Sequence, residues 1–375
     1  MRRVAEIAGA GLAGLAVGTA LAQRGWQVRV HERASELRMF GAGIWLWENG
    51  MRSLRLLGAE EQAIRRAKNI KEWAVVDHRG NDIFRRGFTD DDKMVLPVRA
   101  DLYQALIDAA TAAGVDIVTD SPVASAEPEG VLVLADGTRL EADLVVAADG
   151  AFSKLRDALL LTDKISYLRE GYIRLLVPRY PGDEDSVITE AWHGSRRFLY
   201  CPSSDEYHYV AFSCLVDDRR GRAIPVDKES WLESFPVFSG ILDRIGTDGR
   251  WDRGMTVRCR SWSEGSVVLV GDAAHAQAPN LAQGANITFA NAVSLAAAVA
   301  DADDVPRALR RWEERERPLT DHVQRWSHGY GWVVSMWPEH LSGARTQFLQ
   351  LVTGVPWVEA QLNRAARHLP VGDRG

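Results

Sequence analysis

Cysteine is scarce in this chain: three occur among 375 residues, Cys201, Cys214 and Cys259. Their odd number and the lack of a C-x-x-C pair exclude a disulfide framework and a thiolate zinc site, and they fit a reducing, cytoplasmic compartment. No metal-ligand spacing is present, so no metal is expected. No apolar run approaches the ~20 residues needed to cross a bilayer, which argues against a membrane partner. Tracts of Lys or Arg are missing and the net charge is −6, which excludes nucleic acid as a partner. There is no Gly-x-Ser-x-Gly elbow, no internal repeat and no low-complexity segment. What remains is an ordinary globular composition, 46% hydrophobic and 26% charged, long enough for one large composite domain or two smaller ones.

The first 22 residues, with Arg2-Arg3 before a small apolar stretch, have some character of a secretory leader. Glu6 and a cluster of glycines interrupt that reading, and a second strand-like stretch, Val28-Arg29-Val30-His31-Glu32, follows at once. Residues 4–8 read as a buried strand, 12–24 as a helix of small residues and 27–32 as the next strand: a βαβ unit. One helical stretch is expected over 50–67 and another over 101–113. Asp136-Gly137 marks a hairpin, and 144–148 is an apolar strand ending at Asp149-Gly150. From about 166 to 260 short, alternating, aromatic-rich strands imply an inserted, mostly antiparallel sheet. A buried strand at 267–270 then delivers Gly271-Asp272, a helix is expected over 284–300, and a charged helix over 305–326. The fold class expected is α/β, Rossmann-like, with the inserted β-sheet as substrate domain and a helical tail at 328–375.

Gly9-x-Gly11-x-x-Gly14 between strand and helix has the spacing for a tight turn, close approach of a pyrophosphate, and close helix–strand packing. Glu32, at the end of the second strand, is the acid that would bind ribose hydroxyls, and an acid there favours an unphosphorylated ribose. Arg99 opens a helix and could reach phosphate or ribityl oxygens. Asp149 and Gly150 lie at a strand's carboxyl end, where open α/β sheets bind ligands, although the acid equally suits a cap for the next helix. Far along the chain, Gly271-Asp272-Ala-Ala-His275 and Pro279 through Asn286 lead into a helix start. The free N–H groups there, at Gly284, Ala285 and Asn286, could face an electron-rich ring. His275 reads as a residue packed in the turn rather than a base.

Taken in order, Gly9-Ala-Gly-Leu-Ala13-Gly14, Glu32-Arg33, Gly41-Ala-Gly43-Ile, Arg99-x-x-Leu102, Ala148-Asp-Gly-Ala-x-Ser153-x-x-Arg156 and Gly271-Asp-Ala-Ala-His275 resemble the single-component FAD-dependent aromatic monooxygenases of the p-hydroxybenzoate and salicylate hydroxylase type. The resemblance covers about residues 1–325. It implies an FAD domain built from 1–72, 97–165 and 260–327, and a substrate domain from 73–96 and 166–259. By this resemblance FAD would be held by Gly9, Gly11, Ala13, Gly14, Glu32, Arg33, Gly43, Arg99, Asp149, Gly150, Gly271, Asp272, Gly284, Ala285 and Asn286. NADH or NADPH would be the transient electron donor. O2 would yield a flavin C4a-hydroperoxide that hydroxylates a small anionic aromatic or N-heteroaromatic substrate, in a monomer or homodimer. Two departures stand out: Ala282-Gln283-Gly284 replaces Gly-Gln-Gly, and Asn291 replaces an Asp.

The stretch from Phe40 to Gly50, Ile173-Arg174-x-x-Val-Pro178-Arg179 and Leu281-Ala-Gln-Gly284 are similar to the 2-methyl-3-hydroxypyridine-5-carboxylate oxygenase subgroup, whose members also open the ring. This finer resemblance puts Arg174, Arg197, Tyr209 and Pro279 at the reacting centre. Two arginines suit a carboxylate or ring oxyanion, yet alternating Arg and Tyr on a strand fit a solvent face equally well. Ile70 stands where that subgroup has an aromatic, which points to a different substrate. Trp45-Leu46-Trp47 starts like a flavin halogenase signature, but Glu48-Asn49-Gly50 breaks it. Ring cleavage, a flavin dehydrogenase without oxygenation, and a non-catalytic flavin module remain the competing readings.

Overall fold

The computed structural model describes residues 2–37, 41–89, 93–353 and 355–370; Phe40 and the last five residues of the tail lie outside them. Strands Val4–Ala8 and Gln27–His31 pair in parallel across the helix Leu12–Ala22. They sit in a six-stranded sheet whose order is Ser263–Glu264, Val267–Leu269, Leu144–Ala147, Val4–Ala8, Gln27–His31, Asp116–Val118. Every pairing is parallel except that of the short edge strand Ser263–Glu264. Leu144–Ala147 and Val267–Leu269 are wholly buried, as strands covered on both faces must be. Their carboxyl ends bring Asp149 and Asp272 to the same edge as the glycine loop.

A second sheet of seven strands is ordered Trp251–Cys259, Thr162–Pro178, Tyr207–Leu215, Arg196–Pro202, Val187–His193, Glu72–Asp77, Asp82–Gly87. It is antiparallel apart from the pairing of Val187–His193 with Glu72–Asp77. The period of two divides its residues by face. Ile173, Leu175, Val177, Phe198, Val210 and Phe212 pack on one side against Trp231 and Phe235. Neighbours in register put Arg174, Ala211, Leu199 and Glu190 in one row on the other side, with Tyr209 and Arg197 on that same face.

Several boundaries differ from those read in the sequence. The helix expected over 50–67 is two, Glu48–Leu56 and Glu60–Ile64, parted at Gly58, whose φ of 75° no helix continues through. Thr162–Pro178 is one strand of 17 residues, and its whole length pairs within the seven-stranded sheet. Met94–Val95 pairs with Leu46–Trp47 and Asn69–Ile70, not with the large sheet. The helix Val305–Ser335 spans 31 residues and runs unbroken through 327. The tail therefore starts as an extension of a helix that already packs on the first layer. It continues as Ser342–Thr353 and Pro356–Leu362.

Candidate active site

One cleft of about 2290 Å³ joins the two layers, more than twice the upper size of an ordinary small-ligand pocket. At one end it is lined by Gly11, Ala13, Gly43, Arg99, Gly150, Gly271 and Asp272; at the other by Arg174, Glu190, Arg197 and Tyr209; Pro279, Gly284 and Ala285 lie between.

The glycine loop is built by close approach. A Cβ on Gly14 would lie 1.9 Å from the Gly9 carbonyl oxygen, and one on Gly9, at φ 102°, would lie 2.6 Å from that of Ala148. A Cβ on Gly11 would meet nothing within 4 Å, so only this glycine leaves its missing side chain open to the cleft. The helix behind it begins without a side-chain cap, leaving first-turn N–H groups for an anion. Tyr103 braces the loop by donating its hydroxyl to the Ala10 carbonyl at 2.8 Å. Glu32 accepts the backbone N–H groups of Ala10 and Ala34 at 3.1 and 3.0 Å. Arg33 is exposed beside it.

At the neighbouring strand ends, Asp149 Oδ2 accepts from Lys154 N at 2.8 Å, the capping alternative that the sequence left open, while its buried Oδ1 has no partner. Arg156 ties this turn to the next one, donating to the carbonyls of Ala151 and Ala273 at 3.0 and 3.1 Å. Gly271 adopts φ 59° and ψ −139° at the start of the short helix Asp272–His275; a Cβ there would come within 2.8 Å of Ala13 Cβ. Burial pushes the Asp272 carboxyl up, against the pull of Arg99 and Arg174. Burial likewise lowers Arg99, as does its neighbour Arg174. Two cations facing one carboxylate leave a positive excess in which a pyrophosphate or ring oxyanion is welcome.

His275 is 4% exposed, packs against Trp262 and lies 3.4 Å from the Asn291 amide. Burial depresses it to about 4, so the ring is neutral at physiological pH. Because the unfolded side chain titrates near ~6.5, the unfolded state binds the extra proton between these values, and stability falls as pH drops through that window. Replacing His275 with Gln is expected to remove about 3 kcal/mol of this pH dependence, read as a flatter denaturation midpoint between pH 6.5 and 4.

The segment after His275 turns through the 3₁₀ stretch Pro279–Leu281 and then Ala282, at φ 53° and ψ 29°, before the uncapped helix Gly284–Val299. The departure from Gly-Gln-Gly thus falls on a left-handed position, where a Cβ costs about 1 kcal/mol. Ala282→Gly should raise the melting temperature or leave it unchanged; a clear drop would contradict this account. The Asn286 side chain does not face the cleft. It is fully buried, accepting from Trp47 N at 2.9 Å and donating to the Trp45 carbonyl at 2.9 Å, and so clamps the Trp45–Trp47 stretch to the helix start. A Cβ on Gly50 would collide with its Oδ1 at 1.9 Å.

On the sheet, Arg174 is half-buried, its guanidinium 5.2 Å from the Tyr172 ring, with no ion pair among the described residues. Tyr209 is 4% exposed and meets Trp45 edge-on at 5.9 Å; burial raises its hydroxyl's pKa. Arg197 differs from its expected role, because its charge is already spent. It donates to Asn280 Oδ1 at 2.6 Å and faces Glu190 Oε1 at 3.5 Å. Burial alone would discharge it, yet Glu190 and Glu170 hold the proton firmly. Glu170 in turn accepts from Tyr172, Asn280 and Ser335 at 2.7, 3.2 and 2.8 Å. Glu190 accepts from Trp192 and Tyr330 at 2.8 and 3.3 Å. The sequence reading missed Glu170, Glu190, Asn280 and Tyr330; the only signal was an acid amid apolar strand residues. Among the described residues no group of three or more His, Cys, Asp or Glu could hold a metal, and no helix is long and apolar enough to cross a membrane.

The sequence profile of the FAD binding domain family matches residues 2–327. Over 87% of both chains, the protein is 37% identical to a probable 2-heptyl-3-hydroxy-4(1H)-quinolone synthase of Rhodococcus erythropolis. It is 29% identical to 6-hydroxynicotinate 3-monooxygenase of Bordetella bronchiseptica, over 88% of this chain and 92% of the relative. Among solved structures, a tetrameric form of 2-methyl-3-hydroxypyridine-5-carboxylic acid oxygenase superposes with a TM-score of 0.88 at 36% identity, covering 98% of this chain and 97% of the other.

Proposed function

The chain belongs to the FAD binding domain family and is an FAD-dependent aromatic monooxygenase, and from that premise we propose that it hydroxylates an electron-rich N-heteroaromatic ring bearing an apolar substituent. The observation that carries this is the single cleft lined at one end by the glycine loop and at the other by an aromatic, arginine-bearing sheet face.

The residues present fit FAD: Gly11 leaves open space, and Gly9 and Gly14 permit the close turn behind it. Gly9 to Gly14, Ala13, Glu32 and Arg33 would hold the adenosine and pyrophosphate half. Gly43, Arg99, Asp149, Gly150, Gly271 and Asp272 would hold the ribityl half, with Gly284 and Ala285 presenting N–H groups to the ring. When bound and reduced by NADH or NADPH, FAD supplies the electrons that activate O2. One oxygen atom enters the substrate in place of hydrogen and the other leaves as water. Arg174 would stabilise negative charge on a ring oxygen, which enriches the ring for attack on oxygen. Tyr209 and Trp45 would hold the ring flat, Pro279 would shape the turn beside it, and the apolar walls would exclude water. Arg197 would brace this wall through Asn280 rather than bind a carboxylate.

The apolar substituent is suggested by Phe348, Leu349, Val352, Val358 and Leu362, which extend the cleft along the tail, and by the alkylquinolone relative. A hydroxypyridine carboxylate, opened after oxygenation, is the second reading, favoured by Arg174 and by the superposed pyridine oxygenase. The assembly is proposed to be oligomeric, within a cytoplasmic setting. The test is purification, absorption spectroscopy and a screen of 2-alkyl-4(1H)-quinolones and hydroxypyridines for stimulated NAD(P)H oxidation. Gain of one oxygen by mass supports hydroxylation; an acyclic product containing both atoms of O2 supports cleavage; a protein that cannot be loaded with FAD overturns both.

A further inference from the structure

The tail contributes a side chain to the cleft that no described residue satisfies. Asn363 follows the helix Pro356–Leu362, is 1% exposed and lines the cleft. Among the described residues neither its Oδ1 nor its Nδ2 has a hydrogen-bond partner. Leaving a buried amide unpaired costs about 1–3 kcal/mol for each group, and native proteins seldom leave both ends so. The segment is held firmly enough to make that placement meaningful. His322 Nε2 lies 2.9 Å from the Gln361 carbonyl, and His368 lies 3.2 Å from the buried Glu316. Ala365 packs with Ile287 and Val323, and Ala366 joins the buried cluster of Trp47, Ile70 and Tyr209. Asn363 thus sits between the helix that starts beside Pro279 and the sheet face that carries Tyr209. It also lies beyond residue 327, where the match to the family profile ends.

We infer that Asn363 is a specificity-determining residue whose amide reads a donor and an acceptor on neighbouring atoms of the substrate ring, as in a lactam or a hydroxyl beside a ring carbonyl. Nδ2–H donates to the carbonyl and Oδ1 accepts from the N–H or O–H. The pairing selects neutral keto-type heterocycles over rings that lack the donor, because an unmatched ligand leaves the amide buried and unpaired. FAD also carries such an edge, so the experiment must separate the two sources.

The inference rests on the hydroxylase reading, which fails separately if no aromatic compound stimulates NAD(P)H oxidation by the wild type. The probes are 2(1H)-quinolone and its N-methyl analogue, titrated into the FAD-loaded enzyme and followed by the flavin absorbance change. The wild type is expected to bind the N–H compound at least 10-fold more tightly. Asn363→Leu is expected to reduce that preference to near one while retaining FAD with unchanged affinity. Equal binding of both probes by the wild type, or an unaltered preference in the variant, overturns the inference. So does loss of FAD affinity, which would assign the amide to the flavin. The probe comparison in the wild type stands even if the variant folds poorly.

Discussion

Gly11→Val is expected to give a folded but colourless protein. The Gly11 backbone sits at φ −74° and ψ −176°, an extended conformation that valine favours, and apart from its two chain neighbours no described residue lies within 4 Å of where the new Cβ would be. The fold therefore has no reason to object. The added methyls instead occupy the approach to the first turn of Leu12–Ala22, where phosphate oxygens need backbone N–H groups at hydrogen-bond distance. Loss of two or more such charge-assisted bonds predicts FAD affinity reduced at least 100-fold, about 2.7 kcal/mol. Circular dichroism should be unchanged and the flavin absorbance of the purified protein lost. Gly14→Val provides the contrast: its Cβ would sit 1.9 Å from a backbone oxygen, so that variant should fail to fold. A Gly11→Val protein that purifies with a full complement of FAD would refute the assignment of this loop.

The difference between those two glycines shows what the sequence could and could not disclose. Spacing alone marked the loop, because the turn, the phosphate approach and the helix packing each impose a local requirement at a fixed interval. The same locality made the strand ends at Asp149 and Asp272 readable. The sheet face was half legible: the resemblance grouped Arg174, Arg197 and Tyr209, but nothing in their own strands told which side faces solvent. Nor could it show that Arg197 is neutralised, since Glu170 belongs to another strand, Asn280 to a distant turn and Tyr330 to a helix reading as tail. The part played by the Asn286 side chain was hidden for a related reason. Its backbone position at the helix start suggested a ligand contact, whereas its side chain holds the Trp45–Trp47 stretch, 239 residues away in sequence from Trp47.

Arg197→Met should be strongly destabilising, because it leaves Glu170 and Glu190, 5% and 1% exposed, facing each other's field without a cation. Breaking a buried ion pair from one side typically costs 3–5 kcal/mol, and here one arginine serves two acids. The pH dependence distinguishes this from lost packing. In the wild type Burial pushes the Glu170 carboxyl up, but Arg197 and the hydroxyl and amide donors outweigh it, so the folded value lies below the usual one. Its contribution is present above the unfolded pKa near ~4.3 and is lost as pH falls through the folded value. Without Arg197 the burial of Glu170 is no longer outweighed by a cation, so its carboxyl should titrate above its unfolded value and the variant loses stability as pH rises. The gap between wild type and variant should therefore widen from pH 4 to pH 7 in denaturant midpoints. Adding Glu190→Gln and Glu170→Gln to Arg197→Met should recover much of the loss, because the uncompensated charge, not the missing guanidinium volume, is its source. A gap that is flat with pH, or a triple variant no more stable than Arg197→Met, would mean that Arg197 acts through packing and its stem.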